Sequence, residues 1–148
     1  MNSTIKNYYE LCKPNVVLMM LICAFVGSLL ATKTMAPLSL IGLSMLGIGL
    51  CASSAAAINQ IIDRKVDANM SRTEKRPIPQ GEISPFKASI FALFLGVLGA
   101  AILVLYVNTL TALLTLGSLI GYAFVYTVYL KRATPQNIVI GGLAGAVP

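Results

Sequence analysis

Histidine is absent from all 148 residues, which removes the commonest side-chain general base and metal ligand from any chemistry of this chain. Cysteine is scarce. Cys12, Cys23 and Cys51 stand at spacings that fit neither a zinc knuckle nor a redox pair, so they are read as packing residues. Charge is low too, at 11% against 57% hydrophobic residues, and a soluble domain cannot cover its surface with so little. The chain is therefore expected in a membrane, with its chemistry resting on carboxylates, amides and cations.

Three charge-poor stretches separate the charged residues: 19 residues between Lys13 and Lys33, 29 between Lys33 and Asp63, and 43 between Lys87 and Lys131. A helix needs about 20 residues to cross the hydrocarbon. The first two stretches hold one span each, and the third holds two if the chain turns near Tyr106-Val107-Asn108-Thr109. The expected fold is all-α: a polytopic transmembrane helical bundle forming one domain over 1–148, with spans at 14–32, 38–62, 88–107 and 110–130. The start of a fifth, from 137, is cut off at Pro148, and a truncated chain is expected on that ground. The first span follows Lys6 and Lys13 as a signal peptide would. Its apolar run exceeds a typical h-region and no small-x-small cleavage site follows, so it is read as retained.

With the amino terminus inside, ten of the eleven basic residues fall on the inner side and only Lys33 outside, the bias that keeps positive segments cytoplasmic. The net charge of +6 is then mostly a topology signal, and no nucleic-acid partner is expected. The one sizeable polar segment is the inner loop from about Asn69 to Ser84, broken by Pro77, Pro79 and Gly81. Gly42, Gly47, Gly49, Gly96, Gly99, Gly117 and Gly121 suit close helix packing.

The second span ends in the segment Ala55 to Asp67. At 100° per residue Asn59, Asp63 and Asp67 fall within an arc of about 80°, each about 6 Å further along the axis, so they form one polar stripe. Ile62 and Val66 stay apolar and are expected to give the helix a packing face. Back along the polar face stand Ala56, Ala52 and Gly49, small residues that suit either a cavity for an apolar substrate or tight helix packing. Two carboxylates and an amide oxygen suit Mg²⁺, which takes one or two protein carboxylates and completes its shell with water and phosphate oxygens. Arg64, Lys65, Arg72, Lys75 and Arg76 stand near in sequence to hold the remaining phosphate charge. Against this stands a plainer reading, in which Asp63 and Asp67 are membrane-edge residues paired with neighbouring cations. Likewise, the basic loop alone would serve as a topology determinant or a lipid-surface patch. Ionisable residues that end a span in line with an intramembrane Asn favour the functional reading, because their burial is costly.

The pattern Asn59-x-x-x-Asp63-x-x-x-Asp67, followed by Arg72-Thr73-x-x-Arg76-Pro77-x-Pro79 and Gly81, resembles the UbiA superfamily of intramembrane aromatic prenyltransferases. The resemblance implies that this segment is the first of two aspartate-rich motifs binding an isoprenyl diphosphate through Mg²⁺. It gives Asn59, Asp63 and Asp67 as the metal-diphosphate residues, Asp63 and Asp67 as catalytic, and Arg64, Arg72, Lys75 and Arg76 as further diphosphate contacts. A second segment, Tyr126-Thr127-x-Tyr129-Leu130-Lys131-Arg132-x-Thr134-Pro135-Gln136-Asn137 and on through Gly141-Gly142 to Gly145-Ala146-Val147-Pro148, resembles the haem-farnesylating branch of that family. Quinone-precursor prenyltransferases share the first motif and not the second. Members have about nine spans and carry their second aspartate-rich motif beyond the point reached here.

That branch implies farnesyl diphosphate and protohaem IX as substrates and haem O as product. It also implies the bilayer of a bacterial inner membrane as the setting, a cytoplasmic amino terminus, and a haem A synthase or a terminal oxidase assembly as further partners. Met19, Met20, Met45 and the tyrosines are candidates for the haem pocket, with apolar packing the plainer role for each. Two competing functions remain open at this point: prenyl transfer to another aromatic acceptor such as 4-hydroxybenzoate, and a membrane carrier using the same intramembrane Asn and Asp.

Overall fold

The computed structural model describes residues 3–31, 37–71 and 73–123. Helices and turns make up this part, and no strand occurs among the described residues. In chain order the elements are α1 (Ser3–Leu11), α2 (Pro14–Leu30), α3 (Leu38–Asp67), α4 (Pro85–Ile102), a π-helical turn (Leu103–Val107) continuing α4, and α5 (Thr109–Ile120).

Their boundaries follow from local chemistry. Pro14 and Pro85 sit in the first turns of α2 and α4, where a missing N–H costs nothing and the fixed φ suits a helix. Ser84 caps α4 by accepting from the Lys87 N–H at 3.3 Å. Asn108 is extended and accepts from the Thr111 N–H at 2.6 Å, so the chain breaks within the 106–109 stretch and α5 begins directly after it. The span expected at 38–62 lies inside α3, which runs on to Asp67.

Among the described residues two helices are long and apolar enough to cross a membrane, Leu38–Asp67 and Pro85–Val107. A third span results if Thr4–Leu11 and Pro14–Leu30, bent by 46° at their junction, count as one. α5 has 12 residues; the remainder of the span expected at 110–130 and the fifth run from 137 lie outside the described residues.

α3 is the central element, and its broadest packing is against α4. At their crossing Gly47 and Gly99 meet backbone to backbone: a Cβ on Gly99 would stand 2.8 Å from the Gly47 carbonyl oxygen. The Ser54 hydroxyl donates across the same interface to the Ala92 carbonyl at 2.7 Å. One apolar cluster, Ala24, Ile48, Cys51, Leu103 and Ala112, lies among α2, α3 and α5. A second, Leu11, Ala57, Ile78, Ile83, Ala88 and Ala92, ties α1 and the 68–84 loop to the α3–α4 pair. Thr73 Oγ1 donates to the Asp67 carbonyl at 3.0 Å and so caps α3. The loop thereby folds back over the end of the helix that carries the acidic stripe.

Candidate functional site

A 30-residue α3 carries Asn59, Asp63 and Asp67 on one face because they recur every four residues. The fold buries that face: Asp63 and Asp67 are each 3% exposed and Asn59 is 4%. Buried carboxylates are costly unless paired and hydrogen-bonded. Here each has a partner. Asn59 Nδ2 donates to Asp63 Oδ2 at 3.2 Å, and Arg76 Nη1 pairs with Asp67 Oδ2 at 2.6 Å. Arg76 reaches this position because the loop is pinned by buried Pro77 and Ile78 next to it.

From the other side comes Lys13, whose ammonium donates to Asn59 Oδ1. It lies 46 residues away in sequence, at the junction of α1 and α2, and sequence reasoning gave it only a role in topology. Its signal was present as a lysine immediately before Pro14 at the inner mouth of the first span. Only the docking of α1 and α2 on α3 turns that signal into a site.

The other basic residues divide differently. Arg64 is exposed and its guanidinium donates back to the Ile61 carbonyl of its own helix at 2.8 Å. Lys65 and Lys75 are exposed, and Arg72 lies outside the described residues. The structure therefore brings Arg76 and Lys13 onto the stripe, while Arg64 and Lys75 stand at its margin. Val66 is exposed and Ile62 half-buried; the packing face of this part of α3 is Ala57, Ile58 and Ile61 instead.

A cavity of about 100 Å³ opens beside the stripe. Lys13 stands among its lining residues, with Val17 and Met20 of α2, Ala52, Ala55 and Ala56 of α3, and Thr115, Ser118 and Tyr122 from α5 or just beyond it. The small residues at 52 and 56 thus line open space, whereas Gly49 faces Leu21, against which a Cβ would rest at 3.4 Å. Met20 lines the cavity; Met19 is exposed and Met45 packs in the cluster around Cys51.

As a donor set, the stripe is built of oxygen: two carboxylates and an amide. No three His, Cys, Asp or Glu side chains converge among the described residues, so the protein's contribution to a cation would be this carboxylate pair, the number Mg²⁺ commonly takes. Asn59 Oδ1, which now accepts from Lys13, could serve as a further oxygen donor if the lysine found another acceptor, such as a phosphate oxygen. The four charged groups, Asp63, Asp67, Lys13 and Arg76, balance one another, so the site already holds both signs needed by a metal-bridged polyphosphate.

With this geometry in view, comparisons with known proteins are informative. The UbiA prenyltransferase family matches residues 20–148. The chain is 60% identical over 143 residues to the protoheme IX farnesyltransferase of Saccharophagus degradans, covering 97% of this chain and 47% of that protein. It is 57% identical over 143 residues to protoheme IX farnesyltransferase 2 of Pseudoalteromonas atlantica, covering 97% and 47%. For the protoheme IX farnesyltransferase of Legionella pneumophila strain Corby the identity is 58% over 143 residues, covering 97% and 49%. The chain thus spans about half the length of the curated relatives it matches.

Proposed function

Since the chain belongs to the UbiA prenyltransferase family, we propose that its acidic stripe binds the diphosphate of farnesyl diphosphate with Mg²⁺, in a protein that transfers the farnesyl group to protohaem IX to give haem O. The family and the apolar helices together make this an integral membrane protein. Prenyltransferases of the family generally use a divalent metal in binding diphosphate; Mg²⁺ is the choice that the oxygen-only donors support.

The observation that carries the reading is a pair of buried carboxylates with two cations around them, one of which, Lys13, also lines an apolar cavity further along the same helix. Asp63 and Asp67 would hold the metal, with Asn59 beside them. When bound, the ion supplies Lewis acidity at the diphosphate oxygens. Lys13 and Arg76 take up the negative charge that builds on the leaving group as the allylic carbon–oxygen bond breaks. Arg64 and Lys75, both exposed, would add to the positive field around the site, and Arg72 is kept as a diphosphate contact on the sequence motif alone. The cavity walls at Val17, Ala52, Ala55 and Ala56 take the start of the prenyl chain and keep water from the allylic cation. The vinyl group of protohaem attacks that cation, and water then adds to give the hydroxyethylfarnesyl side chain. In this proposal the stripe lies on the cytoplasmic side of a bacterial inner membrane. Haem A synthase and the terminal oxidase assembly are the partners downstream.

The test is farnesyl transfer from farnesyl diphosphate to protohaem in membranes containing this chain, with and without Mg²⁺, beside its Asp63→Ala variant and the S. degradans relative. Binding of Mg²⁺ with inorganic diphosphate is measured in the same membranes. Mg²⁺-dependent haem O that is lost in Asp63→Ala supports the full proposal. Product from the relative alone, with Asp63-dependent diphosphate binding by this chain, limits the chain to the donor half of the site. Equal diphosphate binding by wild type and Asp63→Ala overturns the reading.

A further inference from the structure

We propose that Gln60 is a positioning residue: its carboxamide clasps the end of α1 and thereby aims Lys13 at the acidic stripe. Gln60 follows Asn59 directly and, one step of 100° on, stands at the edge of the stripe, on the side where α3 meets the end of α1. It is 2% exposed. Its Nε2 donates to the carbonyls of Glu10 at 3.1 Å and Leu11 at 3.2 Å, the last two residues of α1, whose carbonyls have no partner within the helix.

The amide is oriented by this task. Its Oε1 is buried without a hydrogen-bond partner, and turning the group over would set that oxygen against two carbonyl oxygens. The NH₂ group is what the position uses.

Two residues beyond the clasp comes Lys13, with φ 48° and ψ 62°. It has the only positive φ of a non-glycine residue among the described residues. A left-handed lysine is disfavoured by its own Cβ, and a residue before proline prefers an extended conformation, so Lys13 is held in place against two local preferences. Such an outlier persists where its surroundings over-determine it. Its own backbone bonds do part of this, the N–H donating to the Glu10 carbonyl at 3.2 Å and the carbonyl accepting from the Val16 and Val17 N–H groups at 3.0 and 3.2 Å; beside them stand Leu11, fully buried in the cluster with Ala57, Ala88 and Ala92, and the Gln60 clasp. The consequence is the 46° bend between α1 and α2 and a Lys13 ammonium directed onto Asn59. Gln60 thus acts through Lys13 without touching the diphosphate. The catalytic part of the inference rests on the diphosphate reading; the positioning part does not.

The experiment has two readouts on the membrane-embedded chain. First, the acylation rate of Lys13 by an N-hydroxysuccinimide ester is followed by mass spectrometry, with exposed Lys65 and Lys75 as internal references. In Gln60→Leu, Lys13 should react about fivefold faster, as expected for loss of a hydrogen bond, while the references hold. Gln60→Asn keeps the amide but withdraws its reach, and should move Lys13 the same way in a chain that retains its polar group. Second, affinity for Mg²⁺ with inorganic diphosphate is measured in a double-mutant cycle with Lys13→Met. Gln60→Leu should weaken binding about fivefold in the wild-type background and leave it unchanged in Lys13→Met. Unchanged Lys13 labelling in both Gln60 variants overturns the proposal, as does full additivity in the cycle. Faster labelling with diphosphate affinity indifferent to Gln60→Leu, Lys13→Met and Asp63→Ala alike upholds the positioning and overturns the diphosphate reading instead.

Discussion

Replacing Gly99 by alanine tests the packing that holds the acidic stripe in place. A Cβ at 99 would lie 2.8 Å from Cys51 Sγ, 2.8 Å from the Gly47 carbonyl oxygen and 3.0 Å from the Cys51 backbone nitrogen. Two of these atoms belong to the α3 backbone, so no side chain can swing aside to make room. α4 must move off α3 by roughly half an ångström, and the contact of Leu103 over Gly47 loosens with it. Overpacking of this kind costs about 1–3 kcal/mol, offset by up to about 1 kcal/mol from the better helix propensity of alanine. Gly99→Ala should therefore destabilise by about 1–2 kcal/mol. Gly27 and Gly42 are also helical, but a Cβ on either would meet nothing within 4 Å. Gly27→Ala and Gly42→Ala should be neutral or stabilising by up to about 1 kcal/mol. The assay is reversible unfolding in mixed micelles titrated with a denaturing detergent, followed by loss of helicity, on all three variants and the wild type. Equal stability of Gly99→Ala and Gly27→Ala would refute the crossing described here.

Arg76→Met should leave Asp67 buried without its guanidinium; as Arg76 is 30% exposed in its side chain, the cost is expected somewhat below the ~3–5 kcal/mol of a fully buried broken pair, at about 2–3 kcal/mol, read in the same unfolding assay. Added salt should change that difference little, because Asp67 itself is 4% exposed in its side chain. Ser54→Ala removes the bond to the Ala92 carbonyl and should cost about 1 kcal/mol, measurable as a shift in unfolding midpoint. Ala55→Phe fills the cavity beside Lys13 and should abolish the preference for farnesyl diphosphate over inorganic diphosphate in competition binding, while affinity for inorganic diphosphate with Mg²⁺ stays within about twofold.

The sequence by itself determined what short-range chemistry decides. Scarce charge and long apolar runs point to a membrane, and helix periodicity lines up Asn59, Asp63 and Asp67 whatever surrounds them. Ser84 before Pro85, and Asn108, mark helix starts through bonds to residues three positions away. The tertiary structure decided everything that joins distant segments. Among the described cations near the stripe in sequence, the loop pinned by Pro77 and Ile78 brings Arg76 onto Asp67, while Arg64 turns back to the Ile61 carbonyl on its own helix. Lys13 joined from the other end of the first span through a left-handed turn that local preference opposes and the clasp of Gln60 sustains. Among glycines that all suit close packing, the helix crossing shows that 47 and 99 need it, whereas among the described residues a Cβ at 42, 117 or 121 would meet nothing within 4 Å. Ala52 and Ala56 fit a cavity or a contact equally well until α5 stands beside them. The reason is common to all four cases: periodicity and capping depend on neighbours within a turn of helix, whereas crossing points, loop pairings and cavities depend on which surfaces meet.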